Sequence, residues 1–263
     1  MTKTTFERTV LATVAVCTFI ILICSTNKST SEASTSKQPI PFCTILPSSI
    51  EFVSKYDTVP FVGARGFYWN KHSTLRIYFY NGTEDVIQKV LNIANTWASL
   101  SSLQFKRVLT QNPSEIRVSF RCPGYNSLVA KQAYDPSYNG QPTMCLEGLD
   151  QTSDKNLFVR TVLHEFGHVM GLLHELQNPG AQIPWDTARL YAYYDSVYHW
   201  KPDSVNKYVL NLYLNADVDV SQFDQSSIMM YAIPKQVTKG GYSVQWPNRL
   251  SKMDTAFLIE TYH

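Results

Sequence analysis

Residues 161–177 read TVLHEFGHVMGLLHELQ. Three of the chain's six histidines stand here, His164, His168 and His174, and a glutamate follows the first and the last of them. A helix is predicted through about Met170: Phe158, Val162, Phe166 and Val169 recur at helical spacing, and Asp154 or Asn156 can cap the start. On that helix His164 and His168 share a face one turn apart, close enough for both rings to reach one metal ion. Glu165 is offset by one position, so its carboxylate lies beside the ligand face, suited to holding a water without displacing it. Gly171 can take the left-handed conformation that ends a helix, and the turned chain then returns His174 to the same ion. Three neutral imidazoles leave the fourth position of Zn²⁺ open, the arrangement of a catalytic site and not of a closed structural one. HExxH alone occurs by chance; HExxHxxGxxH is far more restrictive, because it also specifies the third ligand and the helix-ending glycine.

The rest of the chain supplies a domain to carry this helix. With 263 residues, 44% apolar and 13% aromatic, the chain can bury a substantial core. A formal charge of +2 with scattered lysines and arginines has no electrostatic footprint for nucleic acid, and that class is set aside. Residues 1–25 carry Lys3 and Arg8 before an apolar run from Val10 to Cys24, the pattern of a signal peptide; retained, the same run is a signal anchor. Fifteen apolar residues fall short of the roughly 20 that span a bilayer, so a secreted product with no membrane attachment after processing is expected. Residues 26–66 begin polar and become proline-bearing, as a linker or pro-segment does.

From Phe67 onward strand and helix signals alternate. TLRIYFY (74–80) reads as a strand, 84–99 as an amphipathic helix, EIRVSF (115–120) as a second strand and 121–152 as mostly loop, with an edge strand near Ser127–Ala133. Short helices are expected near 187–195 and 204–212, and Ser251 with Asp254 resembles a capping box opening a last helix. Of the cysteines outside the targeting segment, Cys43, Cys122 and Cys145, three pairings are possible. Cys122 with Cys145, which flank a loop-rich stretch, is the expected one. Sequons at Asn27 and Asn81 are compatible with export and glycosylation.

HEFGHVMGLLHE is similar to the extended zinc motif of the metzincin metallopeptidases, and Glu175 directly after the third histidine resembles the astacin branch. FDQSSIMMY (223–231) resembles the family's Ser-x-Met-x-Tyr turn. The resemblance implies an α+β, two-lobed catalytic domain over 67–263, a twisted mixed sheet with a zinc helix and a C-terminal helix. It implies one catalytic Zn²⁺ on His164, His168 and His174, Met229 as the Met-turn methionine, and Tyr231 as an additional ligand that swings away to stabilise the transition state. Gly171 and Glu175 are the implied structural residues, the latter pairing in astacins with the mature N-terminus. After His174 the arginine and aspartates usual in animal astacins are missing until Asp186, Met230 replaces a frequent histidine, and the four-cysteine framework is absent. The likeness is therefore to a divergent, microbial kind.

The expected activity is a secreted zinc endopeptidase acting on polypeptides, with Glu165 as general base and Tyr231 supporting the oxyanion. Substrate is expected along an edge strand near Tyr125–Ala133. Cys43 lies upstream in PIPFCTILP; its thiolate could fill the fourth zinc position before processing, as pro-segment cysteines do in the related matrixins, the alternatives being a free or an intermolecular thiol. Two rival readings are a non-catalytic secreted zinc-binding protein and a zinc hydrolase of a non-protein amide. A pure binder has no need of Glu165 and Tyr231, and an edge strand suits a polymer.

Overall fold

The strand β2 (Thr74–Phe79) buries Leu75, Ile77 and Phe79 on one face and leaves the intervening residues partly exposed, the period of a half-buried strand. The computed structural model describes Cys43, Gly63–Ala64 and residues 66–213, 218–219 and 222–263. The signal segment, the Asn27 sequon and most of 26–66 lie outside the described residues. Before β2 comes the two-residue β1 (Gly63–Ala64), which pairs with β7 (Val218–Asp219). After it, α1 (Glu84–Ala98) starts at the Thr83 cap and buries Ile87, Val90, Leu91, Ala94 and Trp97 at helical spacing. Strands β3 (Gln104–Arg107) and β4 (Ile116–Ser119) both pair parallel with β2.

Two short strands complete the sheet. β6 (Met144–Leu146) pairs parallel with β4, and β5 (Tyr125–Ser127) runs antiparallel along β6, giving the order β3-β2-β4-β6-β5 in a mixed sheet. The edge strand expected near 127–133 is thus corrected: it ends at Ser127, and Ala130–Tyr134 turns into a 3₁₀ helix. β6 was not foreseen, because three residues carry no readable period. Cys122 and Cys145 form a disulfide that ties β6 to the chain just before β5. The Asn81 side chain donates to Ser119 and accepts from the Phe120 amide, so this sequon asparagine pins the end of β2 to β4.

Helix α2 (Lys155–Val169) begins at Asp154, whose carboxylate accepts from the amides of Asn156 and Leu157. It packs on α1, where Trp97 donates its indole N–H to the Leu163 carbonyl. α3 (Thr187–Tyr198), α4 (Pro202–Val205) and α5 (Lys252–Tyr262) follow. The helix expected over 204–212 is instead α4 continued by a π turn, Asn206–Leu210. Among the described residues no helix is long and apolar enough to cross a membrane.

Two hydrophobic cores result. One gathers the sheet, α1, α2 and α5 with Leu173 and Met229; the other gathers Leu176, Leu190, Val205, Met230, Tyr231 and Ile233 together with Cys43. The chain passes from one to the other between Leu173 and Leu176 and again between Met229 and Met230, and this seam is where the histidines lie. The mixed sheet with α2 and the closing helix α5 is the fold class expected, and the described residues from Cys43 to His263 belong to one compact unit.

Gly167 shows how tight the seam is. A Cβ there would lie 2.3 Å from the Met229 sulphur and 3.3 Å from the Trp97 ring. In a free helix Gly→Ala gains about 1 kcal/mol; here overpacking reverses the sign. Gly167→Ala is expected to lower stability by about 1–3 kcal/mol, measured by denaturant unfolding, and a stabilised variant would show that Met229 is free to move aside.

Candidate metal centre

The end of α2 determines the centre's geometry. Met170 is the C-cap of α2; the Leu172 amide then bonds back to the Gly167 carbonyl and the Gly171 amide to the His168 carbonyl, a Schellman turn with Gly171 at φ +99°. A side chain at 171 would strike the Tyr68 ring at 2.7 Å, so glycine is required twice over. Trp69 and Tyr262 donate to the Val169 and Met170 carbonyls, groups that a helix end leaves without partners. The turn brings the Leu172 carbonyl to 2.8 Å from His168 Nδ1 and carries His174 back until its Nε2 is 3.1 Å from His168 Nε2.

Hydrogen bonds set the tautomers. His164 Nδ1 lies 2.9 Å from the Ile228 carbonyl and His168 Nδ1 meets the Leu172 carbonyl; a carbonyl only accepts, so both Nδ1 atoms carry the proton and both Nε2 atoms present a lone pair. Burial depresses the basicity of all three rings. His164 falls to about 4, and His168 and His174 fall well below the usual range through burial and then through their neighbouring histidines. Three neutral, converging imidazoles are what a divalent transition metal needs. The ligand atoms of Cys43, His164, His168 and His174 all lie within 4.8 Å of one another. His164 Nε2 and Glu165 Oε2 are buried without hydrogen-bond partners, as a ligand lone pair and a carboxylate poised at a metal would be. The residues therefore fit one such ion.

The Met-turn closes the site from below. Asp254, the third residue of α5, accepts from Ser227 Oγ at 2.7 Å, the Ile228 amide at 2.8 Å and the Ser251 amide at 2.8 Å. The Ile228 carbonyl, held in this way, orients His164. The Met229 carbonyl receives the Glu175 amide, and Glu175 accepts from Asn178 Nδ2 and the Asp224 amide; burial pushes its carboxyl up to about 8. Glu175 thus braces the third-histidine segment against the loop before the Met-turn.

Tyr231 and Cys43 occupy the open side. The Tyr231 hydroxyl is 2.6 Å from His174 Nε2 and 2.9 Å from the Cys43 carbonyl, and it donates its single proton to one of these at a time. Cys43 Sγ is 3.6 Å from His168 Nε2. Burial, then the charge of Glu165, raises the thiol well above its usual range, and burial lifts Glu165 to about 8. A dication reverses both tendencies by stabilising the anions. Cys43 also makes a parallel β-bridge with Tyr125, so it lies against the edge strand β5 as well as at the histidines. Sequence reading named the three histidines, Glu165 and Tyr231, which the structure brings together, and Met229, whose sulphur it packs against Gly167 of α2. It missed the anchoring of the Met-turn by Asp254: the capping-box pattern marked the residue, but its bonds to Ser227 and Ile228 span more than 25 residues.

Two solved structures of myroilysin resemble this chain. One is 33% identical with a TM-score of 0.71 and covers 76% of this chain and 98% of its own. The other is 32% identical with a TM-score of 0.54, covering 83% and 93%. High choriolytic enzyme 1, a hatching-enzyme zinc protease from Oryzias latipes (medaka fish), is 13% identical with a TM-score of 0.47, covering 73% and 92%. No family model and no curated protein matches the chain.

Two outcomes are expected at the centre. Removing the Asp254 carboxylate with Asp254→Ala strips two buried donors and one half-buried donor of their acceptor and should cost about 3 kcal/mol or more, read by denaturant midpoint. With cobalt in place of the native ion, the chain should show a thiolate-to-metal charge-transfer absorption that Cys43→Ser abolishes; an unchanged spectrum would exclude Cys43 as a ligand.

Proposed function

The chain belongs to the astacin-like metzincin zinc metallopeptidases and is a zinc endopeptidase, and from that premise we propose that His164, His168 and His174 hold the single Zn²⁺, that Glu165 is the general base, and that the protein is secreted in a latent form closed by Cys43. The observation that carries the assignment is the convergence of three buried, neutral imidazoles with orphaned or mutually facing Nε2 atoms. When bound, the ion supplies Lewis acidity and brings a water's pKa toward neutrality. Everything else is performed by the chain.

Glu165 sits one residue beyond His164 on the same helix, buried, with Oε2 unpartnered. It takes the proton of the attacking water and returns it to the leaving amine, a shuttle that needs a carboxylate within hydrogen-bond reach of both. Tyr231 offers a hydroxyl beside His174 Nε2 and donates to the oxyanion once the Cys43 carbonyl no longer competes for that proton. The substrate backbone lies along β5, where main-chain groups of an edge strand pair with an extended peptide.

Cys43 supports latency in two ways. Its sulphur stands where the fourth ligand belongs, and its backbone bridges to Tyr125 on the strand that substrate would use. A thiolate there excludes water, so cleavage upstream of the domain must release the segment before turnover. Secretion is supported by the apolar run Val10–Cys24 and by the Cys122–Cys145 disulfide, which persists outside the reducing cytosol.

The decisive experiment is digestion of a complex peptide library by the zinc-loaded chain carrying Cys43→Ser, which opens the latent form, beside the same chain with Glu165→Gln added. Cutting by the first and not the second is expected; equal cutting by both would sink the assignment of the base. Tyr231→Phe should keep zinc and lose about 100- to 1000-fold in kcat, so a metal-free Tyr231→Phe protein contradicts the division of roles. Cys43→Ser should be active without processing, and spontaneous wild-type activity equal to that of Cys43→Ser would remove the latency.

A further inference from the structure

The hydroxyl of Tyr231 carries the chemistry, and its ring has a neighbour that the chemistry does not use. Beyond the Met-turn, Ile233 and Val244 exchange both backbone hydrogen bonds, at 2.9 and 3.1 Å, as an antiparallel pair does. Tyr231 lies two residues before the first and Trp246 two after the second, so that register sets the two rings opposite each other on one face. They meet edge to face, with centroids 5.7 Å apart at 90°. The other rings beside Tyr231 include His174 at 4.8 Å and His164 at 5.4 Å, both proposed ligands of the ion.

Trp246 is itself held from α2. The guanidinium carbon of Arg160 lies 4.8 Å from the centroid of the indole, a cation–π contact. Arg160 stands one turn before His164, so the cation that clamps the indole and an imidazole that faces the ion ride on one side of one helix. Arg160 Nη2 is buried with no hydrogen-bond partner, and a guanidinium stripped of water in this way gains more from a ring face than an exposed one does. Arg160, Trp246 and Tyr231 all line the cavity that Cys43 also lines.

In the latent chain the Tyr231 hydroxyl is fixed by His174 Nε2 and by the Cys43 carbonyl. The proposed mechanism takes both away: His174 Nε2 faces the ion when it is bound, and the Cys43 carbonyl leaves with the pro-segment. An oxyanion donor is effective when it already stands where charge develops, with nothing to reorganise as the reaction proceeds. The contact with Trp246 depends on neither of the lost partners.

We propose that Trp246, clamped by Arg160, is a positioning residue that keeps the Tyr231 ring at the centre once both hydroxyl partners are gone, so that the hydroxyl is in place when the oxyanion forms. This rests on the reading of the centre as an endopeptidase site with Tyr231 as oxyanion donor.

The test uses the full zinc-loaded chain carrying Cys43→Ser and one peptide that it cuts in the library. Trp246→Leu is expected to lower kcat about 3- to 10-fold with KM unchanged, and Trp246→Phe, which keeps a ring edge against Tyr231, to retain most of the parent rate. Arg160→Met keeps an apolar stem over the indole without the cation and is expected to lower kcat about 2- to 5-fold. Both losses act through one hydroxyl and so do not multiply with its removal: Tyr231→Phe with Trp246→Leu is expected to turn over as Tyr231→Phe does. Zinc content and a melting curve confirm that each variant is folded, and if Trp246→Leu does not fold, Arg160→Met takes its place in the same cycle. Losses that multiply, or full kcat in folded Trp246→Leu, overturn the proposal. A parent chain that cuts nothing, or a fully active Tyr231→Phe, defeats the underlying reading separately. Crystal structures of the metal-loaded parent and Trp246→Leu chains then decide the positioning itself: Tyr231 in one conformer in the first and displaced or split in the second sustains it, and the same single conformer in both rejects it.

Discussion

The turn at Gly171 is the constraint on which the centre depends. An α-helix can place two histidines on one face but cannot bring a third, six residues later, to the same point while it remains helical. The Schellman turn ends the helix at Met170, and in doing so it supplies the Leu172 carbonyl that orients His168 and reverses the chain that delivers His174. One backbone event thus sets a tautomer and adds a third imidazole. Gly171 permits it by its positive φ, and its missing side chain makes room for Tyr68. The tryptophan and tyrosine donors at Val169 and Met170 hold the helix end where the turn requires it.

The centre sits between two cores, and two crossings of the chain hold those cores in register. Leu173 belongs to one and Leu176 to the other; Met229 and Met230 divide in the same way. Each crossing is fastened by buried polar groups. Asp254 gathers Ser227, Ile228 and Ser251, and Glu175 gathers Asn178 and Asp224. Carboxylates suit this work because one such group accepts several amide and hydroxyl donors at once. The same Ile228 whose amide reaches Asp254 offers its carbonyl to His164, so the bracing of the fold and the orientation of that imidazole are one network.

The open side of the centre is occupied by the chain itself. Cys43 reaches it from 125 residues upstream of His168, meeting the histidines with its sulphur, Tyr231 with its carbonyl and β5 with its backbone. Under the proposed mechanism a bound peptide would contact the same three: the metal position, the Tyr231 hydroxyl and the edge strand. A segment that satisfies all three competes directly with substrate, whereas a lone thiol at the surface would not.

Much of this was legible in the primary structure, and for one reason: the informative patterns are short-range. The spacing of His164, His168, Gly171 and His174 is a statement about one helix and the turn after it, so it could be read without knowing the fold. Helix α1 (Glu84–Ala98) announced itself by its apolar period and α5 (Lys252–Tyr262) by its capping pair, both local signals. Ser227 to Tyr231 was readable by resemblance to a family turn. What tertiary structure alone decided involves partners far apart in sequence. The arrival of Cys43, the anchoring of the Met-turn by Asp254, the insertion of β6 between β4 and β5, and the stacking of Arg160 on Trp246 are examples. None has a local signature, because a three-residue strand, a single cysteine and a single arginine carry no period, and their roles come from what the folded chain brings beside them.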